Sequence, residues 1–287
     1  MGRTNVGKST LVNGIVGEKV GIVTPKPQTT RNVIRGIYTE ERGQAVFLDT
    51  PGIHRPRTRM NRNMVRMAYE SIEGVDAVLW ILDAGRPWLR EEEELAKRLA
   101  DSPIPLVLAV NKVDLVKDKK ALLPLLEELA GRFPDVPLYP TCALDRDYDA
   151  GLLEILFPLL PEGEPLFPED LYTDQLERQL AAEIVREQLF LRMRDEVPHC
   201  TGVLVEQFQE PEEGRDLLRI GCSILVERES QKPILIGKGG RTLKAVGTQA
   251  RQDLMKILGC RVHLELWVKV RPHWRENVGI LREMGLA

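Results

Sequence analysis

Gly2-Arg3-Thr4-Asn5-Val6-Gly7-Lys8-Ser9 fits the spacing GxxxxGK[ST] at every fixed position. Few short stretches limit a fold so tightly, because the spacing calls for a strand, a glycine loop and a helix in immediate succession. The glycines let main-chain N–H groups wrap closely around a polyphosphate, and the helix opening near Lys8 adds its positive end. Lys8 has the reach for the β- and γ-phosphates, and Ser9 offers a hydroxyl to Mg²⁺. Gly2, Arg3, Thr4, Asn5, Val6, Gly7, Lys8, Ser9 and Thr10 are therefore candidate phosphate contacts. Leu11, Val12, Ile15 and Val16 give the following helix an apolar face for packing on a sheet.

Only Met1 stands where the preceding strand belongs. The expectation is that Met1 replaces a strand valine through an internal GTG start, with roughly ten residues of the natural chain preceding it.

Glu18 to Asn32 is polar and proline-containing and reads as a long loop, a length that in a compact domain is usually functional. A threonine there can complete a Mg²⁺ shell beside the phosphate loop. Thr30 is the choice and Thr29 the fallback. Val33 to Tyr38 and Gln44 to Leu48 are predicted strands, and the second delivers Asp49-Thr50-Pro51-Gly52. Asp49 can hold Mg²⁺ through water, and Gly52 can offer its N–H to a γ-phosphate. Ile53 follows, where a glutamine would orient water in a Ras-like enzyme, so slow intrinsic hydrolysis is expected. Asn5 is a candidate for holding a monovalent cation such as K⁺ against the phosphates, with a local turn hydrogen bond as its alternative. His54 is expected to be an exposed loop residue.

Two apolar runs, Val75 to Leu82 and Pro105 to Val110, have the character of strands covered on both faces of a parallel sheet. The second leads into Asn111-Lys112-Val113-Asp114. A carboxylate only accepts, so Asp114 can take the N1 and N2 protons of guanine, a pattern adenine does not present. Asn111 would brace the loops and Lys112 lie along the base. After a predicted strand at 138–140, Thr141-Cys142-Ala143 can bring a main-chain N–H to guanine O6. Strands alternating with helices make this an α/β domain with its ligand, GTP or GDP, at the carboxyl ends of a mostly parallel sheet.

A proline- and acid-rich stretch divides the chain, giving a nucleotide domain over 1–160, a linker over 161–173 and a second domain over 174–287. The net charge of −3 hides an asymmetry, because residues 228–287 hold 12 Lys/Arg against 5 Asp/Glu and the remainder 28 against 38. A basic end on an acidic body suits a polyanion. Its predicted order is α-β-β-α-α-β, with a turn at Glu212-Glu213-Gly214-Arg215. Gly237-Lys238-Gly239-Gly240 falls between two helices, and Arg241 and Lys244 flank it. A GxxG loop in that position brings N–H groups to RNA phosphates beside an apolar groove for unstacked bases, the arrangement of a KH module.

Cys142, Cys200, Cys222 and Cys260 lie far apart without metal-ligand spacing, which points to reduced structural thiols in a cytoplasmic protein. No apolar run is long enough for a membrane-spanning helix.

GRTNVGKST, PQTTR, DTPGIH, NKVD, FPEDLYTD, ILVERESQKPILIGKGG and HLELWVKV together resemble the Era family, bacterial GTPases with a C-terminal KH domain. The resemblance spans nearly the whole chain. It implies a type II KH fold, binding near the 3′ end of small-subunit (16S) ribosomal RNA, a part in maturing the 30S subunit, and peripheral inner-membrane association in some bacteria. A monomer is expected. Cys142 stands where that family usually has serine, and Leu144 to Asp149 lacks the glycine of its next turn. Two other readings compete: a non-hydrolysing RNA scaffold, and a membrane-surface GTPase that uses the basic end without GxxG.

Overall fold

Strands whose two faces are both apolar are stable only when both faces are covered, and the covering here comes from helices on either side. The computed structural model describes residues 1–211 and 216–287, so the turn expected at 212–215 lies outside them. Two units emerge. The first comprises Met1–Gly21, Thr30–Pro56 and Met64–Asp174, and the second Ile22–Thr29, Arg57–Asn63 and Gln175–Ala287.

In chain order the nucleotide half contains α1 (Lys8–Val16), β1 (Ile34–Glu40), β2 (Gly43–Asp49), α2 (Arg59–Glu70), β3 (Val78–Asp83), α3 (Arg90–Ala100), β4 (Leu106–Asn111), α4 (Leu122–Arg132), β5 (Leu138–Pro140) and α5 (Asp147–Leu156). Strands β3, β4 and β5 run parallel, in a register that ends Asp83 beside Asn111. Strands β1 and β2 form a separate antiparallel hairpin. Main chain at the very start lies along β3 and the segment that follows β2: the Met1 ammonium donates to Leu79 O at 2.7 Å, Ile81 N–H donates to Met1 O at 3.0 Å, and Arg3 pairs with Ile53 in an isolated bridge. Val6, Leu11 and Ile15 pack with Ile81, Val107, Ala109 and Leu152 on one face of β3 and β4. Trp80, Leu108, Leu95, Leu129 and Ile53 fill the other. Leu108 is fully buried, so its truncation to alanine should cost about 2–5 kcal/mol.

Beside this core a cavity of about 820 Å³ is lined by Leu11, Ile15, Phe47, Leu79, Leu156 and Phe157, among others. Among the described residues no strand lies between β2 and β3 to fill it. The stretch expected to be a linker is held along the hairpin: Gln44 and the Phe167 main chain exchange two bonds of 2.9 Å, and Ile37 N–H donates to Tyr172 O. The division between units falls after Asp174.

The second unit contains α6 (Glu177–Arg192), β6 (Gly202–Gln209), β7 (Leu217–Val226), α7 (Lys232–Ile236), α8 (Arg241–Leu258), β8 (Arg261–Val270) and α9 (Val278–Glu283). This is the predicted α-β-β-α-α-β order with one further helix. Strand β7 is central, antiparallel to β6 and parallel to β8. Ala181, Ile184, Val185 and Leu189 of α6 and Val246, Ala250 and Leu254 of α8 bury against Cys222, Ile224 and Val226 of the sheet.

Two short pieces from the first half of the sequence also belong here. The Lys26 ammonium donates to the carbonyls of Phe190 and Met193 at the end of α6, where unpaired carbonyls attract a cation. Val23 N–H donates to the Glu187 carboxylate at 3.1 Å, and the Arg186 guanidinium donates to Thr29 O. Arg59 N–H donates to the Glu276 carboxylate at 3.1 Å, and the Asn63 amide donates to Leu286 O at 2.7 Å.

Candidate functional site

Gly7 ends the phosphate loop in a left-handed conformation, φ 103°, immediately before α1. A β-carbon there would meet Asn111 Nδ2 at 2.2 Å, and one at Gly2 would meet Ile81 O at 2.4 Å. Glycine is therefore required by neighbouring atoms as well as by backbone conformation. Gly52 lies against the other side of the loop, where a β-carbon would sit 2.6 Å from Thr4 Cα, and Ile53 N–H donates to Gly2 O at 3.1 Å.

Lys8 is buried and donates to Gly2 O at 3.2 Å and Arg3 O at 2.8 Å. Burial pulls its ammonium down to about 8, partly offset by the charge of Asp49. Ser9 Oγ donates to Asp49 Oδ2 at 2.6 Å and lies 2.8 Å from Thr30 Oγ1, which is itself 3.5 Å from the same carboxylate oxygen. The three expected metal residues thus meet. Burial raises the Asp49 carboxyl above its ordinary value, against the Ser9 hydrogen bond and the nearby Lys8 charge. Asp49 Oδ1 is buried without a hydrogen-bond partner. Two hydroxyls and a carboxylate with one oxygen to spare form a hard-oxygen set that fits Mg²⁺.

Of the remaining residues after β2, Thr50 and Pro51 are buried, and the Thr50 hydroxyl contacts Met1 Sδ at 3.5 Å. Ile53 is 3% exposed and belongs to the core, which explains why it cannot stand where a water-orienting side chain would. His54 differs from expectation: it is half-buried, its Nδ1 is 2.7 Å from Gly52 O, and burial lowers its pKa.

At the carboxyl end of β4, Asn111 is nearly fully buried and ties three segments. Its Nδ2 donates to Val6 O at 2.7 Å, and its Oδ1 accepts from Lys112 N–H and Ala143 N–H, each at 2.8 Å. The Ala143 N–H, expected to face guanine O6, is therefore directed at Asn111 here. Lys112 adopts a left-handed conformation and donates to Asn5 O at 2.6 Å and Asp83 Oδ2 at 2.8 Å. Asn5 shares that backbone conformation, φ 66°. Asp114 is exposed and accepts from the buried Cys142 thiol, whose pKa rises chiefly through burial. Arg3 pairs with Glu92 at 3.1 Å, and the Arg86 guanidinium donates to Thr4 O at 3.3 Å.

Asp83 and Asn13 were not foreseen. Asp83 ends β3 beside Asn111, a strand-end acid of the same kind as Asp49, and that position was its signal in the sequence. Asn13 Oδ1 accepts from Val20 and Gly21 N–H at 3.0 and 2.9 Å, fixing where the long loop departs.

In the second unit Gly237, Gly239 and Gly240 have φ of 72°, 62° and 75°. Gly240 caps α8, and its N–H donates to Gly237 O at 3.0 Å. A β-carbon on Gly237 would meet Thr242 Oγ1 at 2.0 Å, whereas Gly239 and Gly240 face open space. Lys238, Arg241 and Lys244 are exposed, the Arg241 guanidinium donates to Lys238 O at 3.2 Å, and Ile234 nearby is 52% exposed. An open main-chain loop, exposed cations and a bare apolar residue are what a nucleic-acid strand needs.

Fold and site together define a GTPase joined to a KH module. Residues 1–112 match the family model described as a 50S ribosome-binding GTPase, and residues 196–275 match that of the KH domain. The chain is 45% identical over 294 residues to the GTPase Era of Nitratidesulfovibrio vulgaris strain DP4, covering all of this chain and 95% of that protein. It is 48% identical over 287 residues to that of Xanthomonas oryzae pv. oryzae, covering 99% and 94%. Among solved structures it is similar to Aquifex aeolicus Era bound to GDP·AlF4⁻, with a TM-score of 0.94 and 41% identity over 100% of this chain and 97% of that one. A second similar structure is Era in complex with MgGDPNP and nucleotides 1506–1542 of 16S ribosomal RNA, with a TM-score of 0.95 and 40% identity over 100% and 96%. The chain belongs to the Era family. It is a GTPase, and its cofactors are GTP or GDP with Mg²⁺.

Proposed function

We propose that this GTPase is a switch that binds the 3′ end of small-subunit ribosomal RNA and assists assembly of that subunit, as a monomer in the cytoplasm. The observation that carries the switch is a single peptide bond. Thr30, in the first unit, meets Ser9 and Asp49, while Thr29, in the second, accepts from Arg186 of α6. Movement of Thr30 when the γ-phosphate leaves is carried by the chain to the unit that bears the GKGG loop.

Ser9, Thr30 and Asp49 would hold magnesium, which would supply neutralisation of phosphate charge. Lys8 and the N–H groups of residues 2–10 hold the phosphates and stabilise the phosphoryl group as water attacks it. Asp114 reads the guanine edge and Lys112 flanks the base. Ala143 N–H reaches O6 only by exchanging its bond to Asn111. Asn5 would hold a potassium ion, which would supply positive charge in place of an arginine. Gly237 to Arg241, with Lys244, clamp RNA phosphates. No helix among the described residues is long and apolar enough to cross a membrane.

Phosphate release measured with and without small ribosomal subunits tests the switch, with Lys8→Ala as the inactive reference. Acceleration by subunits supports it. RNA affinity identical in GTP and GDP, with no acceleration, leaves only a scaffold. Asp114→Asn should shift preference from GTP to XTP, and equal hydrolysis in sodium and potassium removes the role given to Asn5.

A further inference from the structure

Between Asp49 and Glu70 the chain carries no acidic residue, yet it carries arginine at 55, 57, 59, 62 and 66. Arg57, Arg59 and Arg62 are exposed, and they belong to the same compact unit as the GKGG loop. Among the described residues the carboxylate bonded to Arg59 and Arg62 is Glu276, which accepts from Arg59 N–H at 3.1 and 3.2 Å and so caps the start of α2. It lies 3.5 Å from the Arg62 guanidinium, an exposed pair that neutralises little. Among the described residues no carboxylate pairs with the guanidinium of Arg57 or Arg59.

This arrangement is unfavourable for the helix on its own. Arg59 and Arg62 occupy its first turn, which holds no acid, so their charges oppose the positive end of the helix and each other. The opposite face cannot explain them as ballast for an inserted helix. Met60, Met64 and Ala68 are at most 1% exposed and Val65 and Met67 are half-buried, leaving no fully exposed apolar side chain on α2 to enter a bilayer. Three exposed, forked guanidiniums, two of them without a carboxylate partner among the described residues, suit phosphate oxygens, which arginine grips by paired N–H bonds.

We propose that Arg57, Arg59 and Arg62 form a second contact for the RNA phosphodiester backbone, apart from the GKGG loop and five residues beyond Gly52 in the chain. The inference rests on the RNA reading above. Its ligand is the backbone of the same RNA, so it adds affinity without base preference.

The test is binding of a 16S RNA 3′-terminal fragment to the full chain across a KCl series, comparing wild type with the triple variant R57Q/R59Q/R62Q. The slope of log affinity against log salt should fall by about 2–3, with about 0.7–0.9 lost per phosphate contact, and affinity near 0.15 M salt should fall at least about tenfold. GTP binding should be unchanged, and R57K/R59K/R62K should keep most of the slope. Single glutamine variants, each lowering the slope by about 0.7–0.9, carry the test if the triple variant does not fold. An unchanged slope overturns the proposal. So does a triple variant that loses binding to phosphatidylglycerol vesicles while keeping its RNA slope, which would give the surface to a membrane. Wild type that binds no RNA overturns the RNA reading itself, whereas RNA binding lost in Gly239→Asp but unaltered in the arginine variants overturns only the second contact.

Discussion

Two glycine-rich loops, one in each unit, look alike in sequence and differ in what surrounds them. Around the phosphate loop the space a side chain would take is already filled, by Ile81 O at Gly2, Asn111 Nδ2 at Gly7 and Thr4 Cα at Gly52. Around GKGG only Gly237 is so confined, and Gly239 and Gly240 face open space. The first loop is built before its ligand arrives, and catalysis benefits from donors that need no rearrangement. The second leaves its wall to be supplied by the ligand, as suits a strand of varied bases. Glycine content alone conceals this difference.

Breaking the comparison should be most severe at Gly7. Gly7→Ala combines a clash with φ 103°, and nucleotide binding followed with a fluorescent GDP should be lost. Wild-type affinity in that variant would show that the wall yields. Asp49→Asn comes next, with Mg²⁺-dependent GTP affinity about 10–100-fold weaker and little change in Mg²⁺-free binding, read by calorimetry in magnesium and in chelator.

A third test uses pH. Burial holds the Lys8 ammonium at a folded pKa of about 8, below its ordinary value of 10.5. Between those values the unfolded chain binds more protons, so the penalty of burying the ammonium is full below about pH 8 and is relieved as pH rises toward 10.5. Nucleotide-free wild type should gain stability over that window relative to Lys8→Met, by roughly 3 kcal/mol at most. Bound GTP, which favours the charged ammonium, should remove the gain. Chemical denaturation at each pH provides the reading. The smallest effect belongs to the open loop: Gly239→Ala meets no neighbour and bears only its left-handed φ of 62°, about 1–2 kcal/mol, and Gly239→Asn should cost less. RNA binding at fixed salt separates the two substitutions.

Much of this was legible in residue order because the nucleotide motifs sit at strand ends. Apolar runs with period and length marked β3 and β4, and the residues that follow each run reach the same edge of the sheet. Strand β5 took the bounds expected of it. The long loop was less transparent. Its polarity suggested exposure, yet Val23, Lys26 and Thr29 hold to α6 through main-chain and charged bonds that follow no sequence period. The segment at 161–173 was obscured similarly, because its bonds to β1 and β2 are mostly main-chain and any sequence of suitable length can make them. The bond from Ala143 N–H to Asn111 was hidden because a donor's direction depends on its neighbour, and Asn111 reaches it from 32 residues away.

The gap between β2 and β3 has a mechanical consequence. Among the described residues the parallel strands β3 to β5 and the hairpin β1–β2 share no ladder, and the main-chain bonds of Met1 to Arg3 reach β3 and Ile53, four residues beyond the end of β2. A sheet divided in this way should loosen in two stages. Amide hydrogen exchange should report early opening across the hairpin, which leads into Asp49, while β4 keeps its deuterium out until the entire unit melts.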